Sequence, residues 1–122
     1  MSSLRAADLR FINRIASLRC AETQPGPVEE ADLDAALTEV TGTTPFVRAA
    51  SLAAALMRGR VFPTAPYQTT LLALHCALAL DRLALLAPQG VVAGMIRGLD
   101  TGGDVDAVAR WLEDRTVPAA SG

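Results

Sequence analysis

The chain contains no lysine; all eleven basic residues are arginine, a bias expected of a GC-rich bacterial coding sequence and empty of mechanism. Aromatic residues supply only 4%, and no run alternates Val, Ile, Tyr or Phe with polar residues, so the usual signal of a half-buried strand is missing. Cys20 and Cys76 are far apart and form no CxxC pair, which removes a readable zinc site and a thioredoxin-like motif. Two lone cysteines, with no secretion signal at the N-terminus, give the expectation of a reducing cytoplasm. The formal net charge of −2 lacks the basic surplus that releases counterions from phosphate, so no nucleic-acid partner is expected.

What is present is apolar and helix-favouring. Hydrophobic residues reach 51% of 122 positions, mostly alanine and leucine, the two residues with the highest helix propensity. The length suits one domain with a real core. Charge is uneven: residues 22–39 carry only acids, whereas residues 43–99 carry Arg48, Arg58, Arg60, Arg82 and Arg97 against Asp81 alone. That pattern reads as charge balance within one fold, or as a mildly basic middle able to hold an anion.

The periodicity predicts an all-α bundle of about six helices around a central apolar helix, with residues 1–116 as a single domain and 117–122 as a flexible tail. Ser3 caps a first helix running to about Cys20, with an apolar stripe of Leu4, Phe11, Ile12, Ile15 and Leu18. After the break at residues 24–27, Glu29, Glu30 and Asp32 open a second helix buried through Leu33, Ala36, Leu37 and Val40. Thr44 and Pro45 start a third, stopped at Gly59. Pro66 starts a fourth, read to about Ala87, which is apolar nearly all round and is therefore expected at the centre. Its uncharged stretch is broken by prolines and leaves about a dozen helical residues, short of the ~20 that span a bilayer, so no membrane partner is expected. A fifth helix over residues 89–97 and a sixth capped by Asp104, with Val105, Val108, Trp111 and Leu112 inward, complete the chain.

Between the third and fourth helices lies Arg60-Val61-Phe62-Pro63-Thr64-Ala65-Pro66-Tyr67-Gln68. In position and in its phenylalanine this stretch resembles the Fic/Doc signature, written H-x-F-x-D/E-x-N-K/G-R, and the helix order on either side resembles the Doc toxins. The resemblance implies a Fic/Doc-like fold. Carried over residue by residue, it also implies that the chemistry is gone. Arg60 stands where the family has its histidine base, and a guanidinium has no lone pair free to take a proton. Thr64 stands where an acid holds Mg²⁺ and has no charge to offer. Pro66 replaces the asparagine that shapes the anion hole and lacks a backbone N–H. Tyr67 and Gln68 replace the phosphate contacts and are neutral. Phosphoryl transfer depends on positioning and charge neutralisation, so losing base, metal ligand and clamp together should abolish it.

The expectation is a chain with no cofactor, no metal and no catalytic residue of its family's kind, acting through a protein partner or as a homo-oligomer, within or descended from a toxin–antitoxin pair. Two alternatives stand beside it: an enzyme that reuses the pocket around Arg60, Phe62, Thr64, Pro66, Tyr67 and Gln68 for a different small molecule, and a structural subunit of a larger assembly. A small anionic ligand at Arg60, beside the positive end of the fourth helix, is part of the same reading. His75, alone among apolar residues, reads as a core histidine.

Overall fold

The computed structural model describes residues 3–119. Among them are six helices, α1 (Ala6–Cys20), α2 (Glu30–Glu39), α3 (Pro45–Arg58), α4 (Pro66–Leu80), α5 (Gln89–Asp100) and α6 (Val105–Arg115), and two strands, β1 (Leu83–Leu85) and β2 (Thr116–Pro118). The predominance of helix agrees with the expected all-α class, apart from the small ribbon.

The centre of the bundle is α3, not α4. Every residue from 49 to 57 is buried, and α3 packs against α2, α4, α5 and α6. Alanine explains the arrangement: Ala49, Ala50, Ala53, Ala54 and Ala55 project little beyond the backbone, so helices can close on α3 from several sides. Its start is well set. The Thr44 hydroxyl accepts from the Val47 N–H at 3.2 Å, and Pro45 occupies the first helical position. In α4 the fully buried residues are Thr69, Thr70, Ala73, Leu74 and Leu78; the rest of its apolar surface is half-buried or exposed. Being apolar all round therefore did not bring α4 to the centre; small side chains took α3 there.

The fourth helix also ends earlier than its leucine content predicts. The N–H groups of Asp81 and Arg82 donate to the carbonyls of Leu78 and Ala79, tightening the last turn, and Arg82 then adopts φ +60°. The chain reverses into β1, which pairs antiparallel with β2: Leu83 opposite Pro118, Ala84 opposite Val117, Leu85 opposite Thr116. Val117 and Pro118, expected in a loose tail, thus belong to a strand, held further by Leu86 N–H to Arg115 O and Ala119 N–H to Arg82 O. Three-residue strands are too short to show a period-two pattern. The rest of the expected tail, residues 120–122, lies outside the described residues.

The first helix buries a different face from its most visible stripe. Leu9, Ile12, Asn13, Ala16 and Ser17 point inward, while Phe11 is 60% exposed and Leu18 is exposed as well. Of the expected stripe Ile12 lies in the core and Leu4 packs partly buried against it. In α2 the expected face holds, with Leu33 and Ala36 buried and Leu37 and Val40 partly so. The carboxylate of Asp104 accepts from the Asp106 N–H at 3.0 Å and caps α6 as expected, Ala109 and Leu112 being its buried residues.

Candidate functional site

Residues 60–68 form the junction between α3 and α4, and most of their side chains are used to hold that junction together. Arg60 is exposed and takes φ +47°, a left-handed conformation that carries a cost for a residue with a Cβ. It turns the chain out of α3. Val61 and Phe62 then drop into the core beside Leu9, Leu33 and Leu56, with Phe62 only 4% exposed. The anchoring role of Phe62 is thereby explained by packing alone.

Thr64 is the hub of a polar joint. Its hydroxyl accepts from the Gly26 N–H at 2.9 Å, and its carbonyl accepts from the Asn13 side-chain amide at 2.9 Å. The same amide donates to the Thr69 hydroxyl at 2.9 Å. This joint ties α1, the loop at Pro25–Gly26–Pro27 and the start of α4 to one another. Gly26 fits because it has no Cβ: one built there would come within 3.0 Å of Pro63 and 3.2 Å of the Thr64 hydroxyl. Nothing in residues 60–68 points to Asn13; it is an asparagine on a helix face, and only the fold shows that the face is buried.

At the start of α4, Ala65 has φ +48° and offers no side-chain cap, and Pro66 fills the first helical position. Tyr67 is partly buried against the larger core cluster, and the Arg97 guanidinium lies 5.0 Å from the centre of its ring. Gln68 is exposed. Phe62, Thr64, Pro66 and Tyr67 are therefore structural residues of the junction, Phe62 and Tyr67 packing into different parts of the core, with Arg60 and Gln68 on its surface. Arg58, at the end of α3, is likewise engaged: its Nε donates to Leu99 O at 2.9 Å, in the last turn of α5, and its terminal nitrogen to Gly103 O at 2.6 Å, in the turn before α6.

His75 is half-buried on α4, and burial pushes its pKa below the ordinary 6.5. Cys76 is also half-buried; burial, and then the negative charge of Asp8, push its thiol up, opposite to the shift that activates a nucleophilic cysteine. No group of three or more His, Cys, Asp or Glu side chains among the described residues comes together in a way that could hold a metal ion. No helix among them is long and apolar enough to cross a membrane.

The open space lies elsewhere. A groove of about 890 Å³ runs between α1 and α4, lined by Leu4, Phe11, Ile12, Ile15, Leu72 and Leu80, together with Arg5, Asp8 and Cys76. A second hollow of about 540 Å³ lies across residues 3–6, between α2, α3 and the end of α4. On its wall Arg48 and Asp81 form an ion pair at 3.4 Å, each side chain about 25% exposed. Neither space is lined by a residue of the 60–68 junction. Sequence reasoning missed the groove. The signal was the stripe with Phe11, Ile15 and Leu18, which has the spacing of a core face, yet Phe11 and Leu18 are exposed and Ile15 is only half-buried.

No family model matches the chain, and no curated protein matches it in sequence.

Proposed function

We propose that this chain is a catalytically inactive Fic/Doc-like domain of the bacterial cytoplasm that acts by protein–protein binding, descended from a toxin–antitoxin pair. The single observation that carries the reading is the outward apolar surface of α1 beside its groove with α4, led by Phe11 at 60% exposure. Contiguous exposed apolar surface on a small domain marks an interaction site more often than a random excess. A groove between two helices has the form that receives an amphipathic helix. The loss of transfer chemistry is supported at the junction. Thr64 commits its hydroxyl and carbonyl to internal bonds, Pro66 has no N–H, and Arg60 offers no base.

The test joins a chemical and a binding measurement. With labelled ATP, Mg²⁺ and a protein acceptor such as an elongation factor, no labelled product is expected. Hydrogen exchange with the partner bound should show new protection across α1 and α4 and none over residues 60–68. Robust transfer that disappears in Arg60→Ala would overturn the reading, as would protection confined to the junction.

A further inference from the structure

The surface that makes the groove also carries a shape and a charge pattern that fit its own copy. We propose that the occupant of the α1–α4 groove is α1 of a second copy of this chain, laid antiparallel about a two-fold axis, so that Phe11 of each copy packs over Ile15 of the other.

Self-complementarity comes first. An isologous contact needs one patch that is both protrusion and recess. Phe11 stands out from α1 at 60% exposure and lines the same groove as Ile12, Ile15, Leu72 and Leu80. Two such helix pairs facing each other make a four-helix layer of α1, α4 and their copies, a packing with ample precedent in helix bundles.

Charge selects the occupant and its direction. Asp8 lines the groove, and its carboxylate accepts only the backbone N–H of Arg5, at 2.9 Å, among the hydrogen bonds of the described residues. Anything apolar laid there takes water from that carboxylate, so a good occupant must bring a cation to the same place. Asp8 and Arg19 both lie on α1, about three helical turns apart, and hence on the same flank of the Phe11 stripe. When the two-fold axis sets Phe11 against Ile15 of the copy, Asp8 comes within one residue, about 1.5 Å along the axis, of level with Arg19 of that copy, well inside the reach of an arginine, and the symmetry makes this pair twice. A parallel arrangement would set the two copies of Asp8 on opposite flanks of the seam and would leave Arg19 about three turns away from either. Arg14 lies on the opposite flank, exposed to water and one residue from the two-fold axis; there it meets its own copy as the one like-charge pair of this arrangement, against two Asp8–Arg19 pairs, and exposed pairs are individually weak.

This inference rests on the reading of the domain as a binding module, and its test is separable from that reading. Sedimentation over a concentration series should show a reversible dimer for the full chain. Phe11→Asp, and independently Leu18→Asp at a second exposed position, should give a monomer with unchanged helical circular dichroism. Arg19→Asp should raise the dissociation constant by about tenfold or more, and the double swap Asp8→Arg with Arg19→Asp should recover most of the affinity. A wild-type monomer throughout would overturn the inference. So would a dimer indifferent to both apolar variants, or a double swap no better than the single one. A monomer that captures a helical segment of a different protein in this groove would sink the second-copy assignment while leaving the binding-module reading intact. Nucleotide transfer would do the reverse.

Discussion

Asn13 of α1 and Thr69 of α4 share a hydrogen bond of 2.9 Å, and both residues are almost wholly excluded from water. The same Asn13 amide reaches the Thr64 carbonyl, so one side chain fixes α1 to both the junction and the helix that follows it. Asn13→Ala removes both bonds and leaves an empty polar space. The expected cost is about 2–4 kcal/mol, read as a lowered midpoint in urea with an unchanged slope. A loss below about 0.5 kcal/mol would mean that water replaces the amide without penalty.

The identity of the central helix makes a contrasting pair of substitutions informative. Leu78 on α4 is 1% exposed and Ala53 on α3 is 0% exposed. Leu78→Ala should cost about 2–5 kcal/mol by opening a cavity. Ala53→Leu should cost at least about 1–3 kcal/mol by forcing helices apart, although leucine is an excellent helix former. If Ala53→Leu proved neutral or stabilising in thermal melts, α3 would not be the tightly surrounded element described above.

His75 gives the pH dependence a definite sign. Its folded-state pKa lies below 6.5 because burial disfavours the imidazolium. The unfolded chain therefore binds the proton first as the pH falls, and stability drops on going down from 6.5 to the lowered folded value. Above that window the side chain is neutral in both states and contributes no slope. Urea unfolding between about pH 7.5 and pH 5.5 should show this loss, and His75→Gln should flatten it. An unchanged slope in the variant would assign the effect to another group.

Much of the architecture could be read from local chemistry, and the failures have local causes too. Thr44–Pro45, Gly59 and Asp104 mark helix ends that the structure keeps, because caps and proline act within a turn or two of the backbone. Which helix sits at the centre could not be read in the same way. Hydrophobicity ranked leucine-rich α4 above alanine-rich α3, yet closeness of approach between helices depends on size. The α1 stripe failed for a related reason: Phe11 and Leu18 outweigh Leu9 and Ala16 in apolar bulk, and periodicity cannot tell a core from an interface. The reversal at Arg82, a positive φ without glycine, is held by the distant β2 partner and leaves no mark in the residues around it. At the junction, the break between two helices and the apolar anchor at Phe62 could be read directly. The structural work of Thr64 could not, because its partners Asn13 and Gly26 are remote in sequence.

The two-stranded ribbon bears on the order of assembly. Its strands lie at either end of a segment that includes both α5 and α6, so closing it early would restrain a long stretch of chain in return for a few main-chain bonds. The α3–α4 pair, joined by a short connection, meets no such obstacle. Proximity in sequence thus favours those two helices as an early nucleus and leaves the ribbon to zip up once α5 and α6 have docked, a clasp that closes last and opens first.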